Sequence, residues 1–507
     1  MPKTTRAGFQ FSLELDRDSS VPVYRQIADA LREAVLSGRL LAGTRLPSTR
    51  VFADDLQVSR NTVLQVFELL KDEGLLDSQT GSGTFVTGVA AASGAASAGG
   101  FEEDIPPDPR SPAPGRFRSL SRRGKNLVHS ATGAFRERPT PFMPDMPDLR
   151  EFPIKTWLRL MNETSGRLTG PILAEASNAG YMPLRTAIAQ HLNAARGMNC
   201  DPSQVIVTTG TQQGLDLVCR MLLDPGDPAW LEDPGYIGAH SILRANGAQM
   251  YPVRVDGEGI CAREALDTLP VPRVIFCSPS CHYPRGAPMS LDRRAELIEV
   301  AHRCGAWIIE DDYDYEFVYE GGMHRSVFAL DAEERTIHMG TFSKILLPSF
   351  RLGYIVVPKD LSEAFATARA VVDRHAALME QMVLSEFMLR GLFSSHMRRM
   401  KKLYEARRQM LREGLFDIFG RGVWGDSGES GTNLIVPLAM GTDDRALCRK
   451  LAEAGLVLRP LSPYFLKRAP QPGLIAGFSA FREAEIERGL ALLKGCRSML
   501  EPCLRGA

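Results

Sequence analysis

The chain has 507 residues, 44% hydrophobic and 24% charged, which describes a water-soluble globular protein longer than one ordinary domain. Lysine plus arginine and aspartate plus glutamate number 60 each, so the net charge of zero implies no polyanionic partner for the whole chain, and any nucleic-acid surface must be local. The N-terminal "MPKTTRAGFQFSLELDRDSS" lacks the apolar core of a signal peptide, and no charge-free run reaches the ~18 residues a membrane helix needs. The nine cysteines are scattered singly, and even Cys277 and Cys281 lack the spacing of a zinc or redox motif. A cytoplasmic protein with reduced thiols, no membrane contact and no metal site is expected.

In chain order, "SVPVYRQIADALREAVLSGRL" predicts an amphipathic helix: Pro22 suits its first position, Tyr24, Ile27, Leu31 and Val35 share one face, and Gly38 can end it. In "LPSTRVFADDLQVSRNTVLQVFELLKDEGLL", Ser48 caps a short helix, residues 56–58 turn, and Ser59 caps a second helix. Val63, Val66, Phe67 and Leu70 line the buried face of that second helix. Its first turn instead presents Arg60, Asn61 and Thr62 outward. "LLDSQTGSGTFV" then reads as two short strands joined at a Gly-Ser-Gly tip.

Helix, helix-turn-helix and glycine-tipped hairpin, with Arg39, Arg45, Arg50 and Arg60 gathered at one side, form a module that can enter a DNA groove. Its "LPSTR", "VSRNTV" and "GSGTFV" resemble the winged helix-turn-helix of GntR-type regulators. That resemblance implies contacts to double-stranded operator DNA from Arg50, Ser59, Arg60, Asn61 and Thr62, with Gly81 in the wing. Phosphate contacts supply most of the affinity, and Arg60 and Asn61 are the base readers. Residues 1–88 are assigned to this domain.

"GVAAASGAASAGG" offers nothing large to bury and marks a flexible linker over residues 89–140. Its later part carries Arg116, Arg118, Arg122, Arg123 and Lys125 without an intervening acid, a solvated tether or an auxiliary contact to DNA phosphates. From 141 to 507, strands punctuated by Pro and Gly alternate with helical patterns, which predicts an α/β domain with a largely parallel sheet.

The chemistry of this domain gathers around "MGTFSKILLPSFRLGYIV". Pyridoxal 5'-phosphate needs an amine for its aldehyde, a carboxylate for its pyridine nitrogen, a donor to its phenolic oxygen and cationic or amide donors to its phosphate. Lys344 is the amine, expected in its neutral, nucleophilic form beside positive charge, with Thr341, Ser343 and Arg351 as phosphate ligands. In "WIIEDDYDYEFVY" an apolar strand runs into acids, which selects Asp311 for the pyridine nitrogen and Tyr313 for the phenolic oxygen. "VIVTTGTQQGL" ends a strand at Gly210 and Thr211 and opens a helix toward the phosphate, and in "AWLEDPGYIGA" Tyr236 is placed to lie on the ring.

The order of these motifs resembles fold-type I aminotransferases of class I/II. "EDPGY", "EDDYDYEF" and "GTFSKILLPSFRLGY" behind a GntR-type module are similar to the MocR/GabR family. The resemblance implies a PLP-binding transcriptional regulator that works as a homodimer. Its aminotransferase-like domain would sense a small amine, an amino acid or the coenzyme itself; the alternatives are an active aminotransferase with an appended DNA-binding head and a scaffold with a vestigial site. Three departures from the aminotransferase pattern point away from efficient transamination. In "GLIAGFSAF", Ile475 stands where an arginine usually binds the substrate carboxylate, with Arg459 a substitute from a neighbouring loop. Tyr283-Pro284-Arg285-Gly286 replaces an "N-P-T-G", removing an asparagine from the phenolic oxygen, and Glu175 stands where relatives often have tyrosine. His282 is left as a packing or loop histidine, with no partner identifiable.

Overall fold

The computed structural model describes residues 16, 21–36, 40, 43–79, 83–87, 120–129, 140–170, 177–319, 325–420, 429–466, 470–500 and 503. Gly38, Arg39, Gly81, the run 88–100, Arg116, Arg118 and Glu175 lie outside them. Contacts divide the chain into two units, Met1–Pro106 and Pro107–Ala507.

In the smaller unit, helices α1 (Val23–Leu36), α2 (Thr49–Leu56) and α3 (Arg60–Asp72) precede an antiparallel hairpin of β1 (Leu76–Gln79) and β2 (Gly83–Val86). Ser48 Oγ accepts the Val51 N–H at 3.4 Å and Ser59 Oγ accepts the Thr62 N–H at 3.1 Å, so both serines cap as their positions predict. Pro22 stands one residue before α1, where its carbonyl accepts from Arg25 and Gln26. Ile27 and Leu31 of α1, Phe52 of α2 and Val63, Val66, Phe67 and Leu70 of α3 fuse into one core with Val86. Arg32 donates to Glu73 at 2.7 Å, tying α1 to the end of α3.

The larger unit is built on an eight-stranded sheet in the order β3-β10-β9-β8-β7-β4-β5-β6. These strands are β3 (Val205–Thr208), β4 (Pro228–Asp233), β5 (Gln249–Asp256), β6 (Gly259–Ile260), β7 (Val274–Cys277), β8 (Trp307–Asp311), β9 (Thr336–Thr341) and β10 (Gly353–Val356). Only β10 and the two-residue β6 run antiparallel to their neighbours. Side chains alternate across the sheet as the pleat requires. Ile206, Leu231, Phe276, Ile309 and Ile355 pack with Leu215, Val218 and Leu243 of the helices Thr211–Leu222 and Ile237–Ala245. On the opposite face Trp230, Ile275 and Ile308 meet Leu297 and Val300 of helix Leu291–Cys304, while Val205, Val207 and Val356 join the core under helices Met182–Arg196 and Leu378–Leu389. Helices on both faces account for the apolar strands.

A second, three-stranded antiparallel sheet has the order β11-β13-β12, from β11 (Asn433–Pro437), β12 (Arg459–Pro460) and β13 (Gly473–Gly477). Leu434, Val436, Leu474 and Ala476 enter the main core, which leaves Ile435 and Ile475 on the face that meets Tyr283, Tyr313 and Tyr464. Helix Arg122–His129, which falls in the stretch expected to be linker, packs against helix Ile237–Ala245.

Candidate functional site

On the smaller unit, Arg50, Ser59, Arg60 and Asn61 are exposed and Thr62 is half-buried, all at the first turns of α2 and α3. Ser59 and Thr62 are occupied in capping, since their hydroxyls also lie 2.8 Å apart. Arg60 Nε reaches Thr49 Oγ1 at 3.4 Å, which aims its guanidinium along the N-terminal ends of both helices. Gly83 has φ +119°, and a Cβ there would come within 2.8 Å of Arg45 Nε, so the Arg45 side chain crosses the wing. Arg60 and Asn61, the residues expected from the sequence to read bases, thus share one exposed surface with Arg50.

On the larger unit the sequence-selected residues cluster at the C-terminal ends of the parallel strands, where such sheets bind ligands. Asp311 ends β8, Thr341 ends β9, and Gly210 follows β3. Register joins them: Asp311 pairs with Met339, and Thr341 and Thr208 both lie opposite Gly353 at the start of β10.

Alternation along "WIIEDDYDYEF" gives each acid its own task. Glu310 accepts the Val327 and Phe328 N–H groups at 2.7 and 3.0 Å and contacts His338 Nδ1 at 3.1 Å. Asp312 pairs with the buried Arg196 at 2.8 Å. Asp311, 4% exposed, points the other way, and its Oδ1 has no hydrogen-bond partner among the described residues. Burial, reinforced by the neighbouring Asp312 and opposed by Lys344, pushes its carboxyl up to about 7.

At the end of β3, Gly210 takes φ +117° and opens helix Thr211–Leu222 without a side-chain cap, leaving the first amides of the helix unclaimed by it. The Arg351 guanidinium lies over this glycine, 3.5 Å from where a Cβ would stand, and Arg351 itself holds a left-handed φ of 50°. Thr341 Oγ1 accepts the Ser343 N–H at 3.1 Å. An uncapped helix start with a guanidinium above it is a ready anion seat.

Lys344 Nζ sits 4.9 Å from the Tyr313 ring centre and 5.7 Å from that of Tyr283. It donates to Asp145 Oδ1 at 2.9 Å. The expectation of a neutral lysine is therefore corrected: although burial favours the neutral amine, Asp145 and Asp314 hold Lys344 above the usual lysine range. Positive charge is near it in sequence, but negative charge is near it in space. Tyr313 donates from its hydroxyl toward Cys281 Sγ at 3.5 Å, and Tyr236 accepts from Gln212 Nε2 at 2.9 Å with its ring edge-on to Tyr283.

Sequence reasoning missed Asp145, Asn433 and Tyr464. Asp145 receives Lys344 and Asn433 Nδ2 (3.0 Å) on Oδ1, and Tyr283 (2.7 Å) and Arg459 on Oδ2. Burial alone would raise this carboxyl, yet Lys344 and Arg459 hold it well below the usual carboxylate range. Tyr283 and Tyr464 share a contact of 3.2 Å between hydroxyls. Arg459 lies on a strand, β12, directly opposite Ile475, rather than on a loop. His282 has a partner after all, the Pro234 carbonyl at 3.0 Å, and burial pushes its imidazole down to about 3.

Comparison with known proteins agrees with this division. Residues 23–86 match the family model for bacterial regulatory proteins of the gntR family, and residues 146–487 match that for aminotransferase class I and II. The chain is 37% identical over 505 residues to the probable rhizopine catabolism regulatory protein MocR of Rhizobium meliloti, covering 96% of each chain. It is 32% identical to the transcriptional regulator TauR of Rhodobacter capsulatus, covering 87% of this chain and 89% of that one. Among solved structures, a kynurenine aminotransferase of Pyrococcus horikoshii in complex with PMP is similar, with a TM-score of 0.67 and 26% identity over 72% of this chain and 92% of that one. With its gntR-family winged helix-turn-helix and its class I and II aminotransferase domain, the chain belongs to the MocR-type family of regulators.

Proposed function

We propose that the protein is a cytoplasmic transcription regulator that binds operator DNA as a homodimer. Its larger unit carries pyridoxal 5'-phosphate, and a small amine, an amino acid or the coenzyme itself sets its affinity for the operator. The observation that carries this reading is Asp311: a buried carboxyl with an unpartnered oxygen, in the same cleft as a lysine, suits a pyridine nitrogen that arrives with its own proton. The uncapped helix start at Gly210 under Arg351 fits a phosphate equally well.

In this reading Gly210, Thr211, Thr341, Ser343 and Arg351 hold the phosphate, Asp311 the ring nitrogen, Tyr236 the ring face and Tyr313 the phenolic oxygen. When bound, the coenzyme supplies an aldehyde that condenses reversibly with primary amines and a conjugated ring whose visible absorption reports the exchange. Lys344 is the chain's own amine, and Asp145 and Asp314 keep its proton until the lysine leaves their reach. An amine that binds two arrangements of the dimer unequally shifts the balance between them, and so the operator affinity.

The support for a dimer is an apolar surface: Ile154 and Leu158, one turn apart on helix Ile154–Ser165, are 50% and 49% exposed. No helix among the described residues is long and apolar enough to cross a membrane. The alternative, an active aminotransferase with an appended head, needs an arginine available to a substrate carboxylate, whereas Ile475 stands on β13 and Arg459 is committed to Asp145. The test is reconstitution of the full chain with the coenzyme. A visible absorption band that Lys344→Ala abolishes is expected, together with retention of DNA carrying the promoter region beside its gene; a colourless protein would refute the coenzyme.

A further inference from the structure

The carboxylate that Lys344 and Arg459 share belongs to the protein. Asp145 is held by side chains from four distant parts of the chain, Tyr283, Lys344, Asn433 and Arg459. A carboxylate offers about four acceptor positions, and here all four are taken. Asn433 also accepts the Asp145 N–H at 3.2 Å, so one amide clamps both the backbone and the side chain of the same residue.

The position is also fixed. Asp145 has φ +67°, a left-handed conformation that is unfavourable for a residue other than glycine. Its neighbours are pinned to the small sheet: the Gly477 N–H donates to the Phe142 carbonyl at 2.8 Å, and Ser479 Oγ to that of Met146 at 2.6 Å. Phe142 and Met143 are buried in the main core. Asp145 is therefore a wall of the cleft and not a strap that swings aside.

We propose that Asp145 occupies the seat that a ligand's carboxylate would take on Arg459, so that the cleft selects primary amines carrying no carboxylate. This rests on the reading of the larger unit as an amine-sensing coenzyme domain. An amino acid would have to bring a second carboxylate beside Asp145, with Asp314 also close to Lys344. Like charges placed together in a partly buried site are strongly disfavoured. A plain amine brings no second carboxylate beside Asp145 and meets no such repulsion. The apolar Ile475 and Ile435 behind it offer a ligand carboxylate no alternative partner.

The experiment uses the full chain loaded with pyridoxal 5'-phosphate and reads apparent Kd from the visible spectrum. The probes are matched pairs, ethylamine against L-alanine and propylamine against 4-aminobutyrate. The wild type is expected to bind each amine about tenfold or more tighter than its carboxylated partner. Asp145→Gly, which suits the left-handed backbone, is expected to move that ratio about tenfold or more toward the amino acid, and adding Arg459→Gln to abolish the gain. Asp145→Asn keeps the shape and removes the charge; it should move the ratio in the same direction, and decides the matter if the glycine variant does not fold. Equal binding within the pairs by the wild type, or an unchanged ratio in both Asp145 variants, would overturn the assignment while leaving the coenzyme in place. Absence of any coenzyme band in the wild type would overturn the coenzyme reading, and this proposal with it.

Discussion

Arg459 lies directly opposite Ile475 across one rung of the small antiparallel sheet, and its guanidinium is paired with Asp145. The positive charge that the aminotransferase pattern puts on β13 has moved one strand sideways and met a carboxylate of the protein itself. Lys344 and Arg459 together depress the Asp145 carboxyl, so the pair contributes stability above the ordinary aspartate pKa of 3.8 and loses it as pH falls through the depressed value. Arg459→Gln should therefore lower the unfolding midpoint above about pH 5, with the gap to wild type narrowing below about pH 4. Thermal unfolding of the coenzyme-free chain across pH checks this; a gap that stays constant would remove Asp145 from the cause.

Asp311 titrates in the opposite sense. Its carboxyl is raised by burial from the ordinary 3.8 to about 7, so its contribution to the stability of the coenzyme-free protein is fully present below about pH 4 and is lost as pH rises to about 7. A cationic ring nitrogen pairs with the ionised form, so the gain in melting temperature on adding coenzyme should be larger at about pH 8 than at about pH 6. Asp311→Asn should flatten this dependence and weaken coenzyme binding.

Much of this was legible because the signals are local. Ser48 and Ser59 stand three residues before the amides they cap, and the apolar run into Asp311 and the Gly210-Thr211 turn are strand ends written in contiguous sequence. Asp145 was not legible: its partners Lys344 and Asn433 lie 199 and 288 residues away, and "FMPDMPDL" reads only as a proline-rich loop. The charge state of Lys344 was misjudged for the same reason, since the sequence displays Arg351 nearby and hides Asp145 and Asp314. Strand β12, two residues long, has no periodicity to detect, so Arg459 read as a loop residue. "RRGKNLVH" reads as tether because only its last turn is apolar, yet it forms a helix against Ile237–Ala245.

On the DNA side, Arg60 is the residue whose loss should change sequence preference. Arg60→Ala is expected to cost about 1–3 kcal/mol at the operator and to relax specificity at one position. Arg50→Ala should weaken all sequences evenly and reduce the slope of log affinity against log salt by about one. Fluorescence anisotropy over a salt series separates the two; normal operator binding by Arg60→Ala would displace it from the recognition surface.

Transamination demands that a substrate carboxylate be fixed so the reacting bonds align, and the pairing of Arg459 with Asp145 predicts that this positioning fails. Single-turnover and product assays with a panel of amino acids and a keto-acid acceptor should give rates far below the ~10 s⁻¹ typical of enzymes. A rate of that order would restore the aminotransferase.

If amine binding at Lys344 controls DNA affinity, that control is read in the operator affinity of the coenzyme-loaded full chain titrated with a carboxylate-free amine. A change of about fivefold or more in Kd is expected, the size of an ordinary allosteric coupling, and it should vanish in Lys344→Ala. An operator Kd that is the same with and without coenzyme and amine, in a protein that binds both, would show that Lys344 does not govern DNA binding.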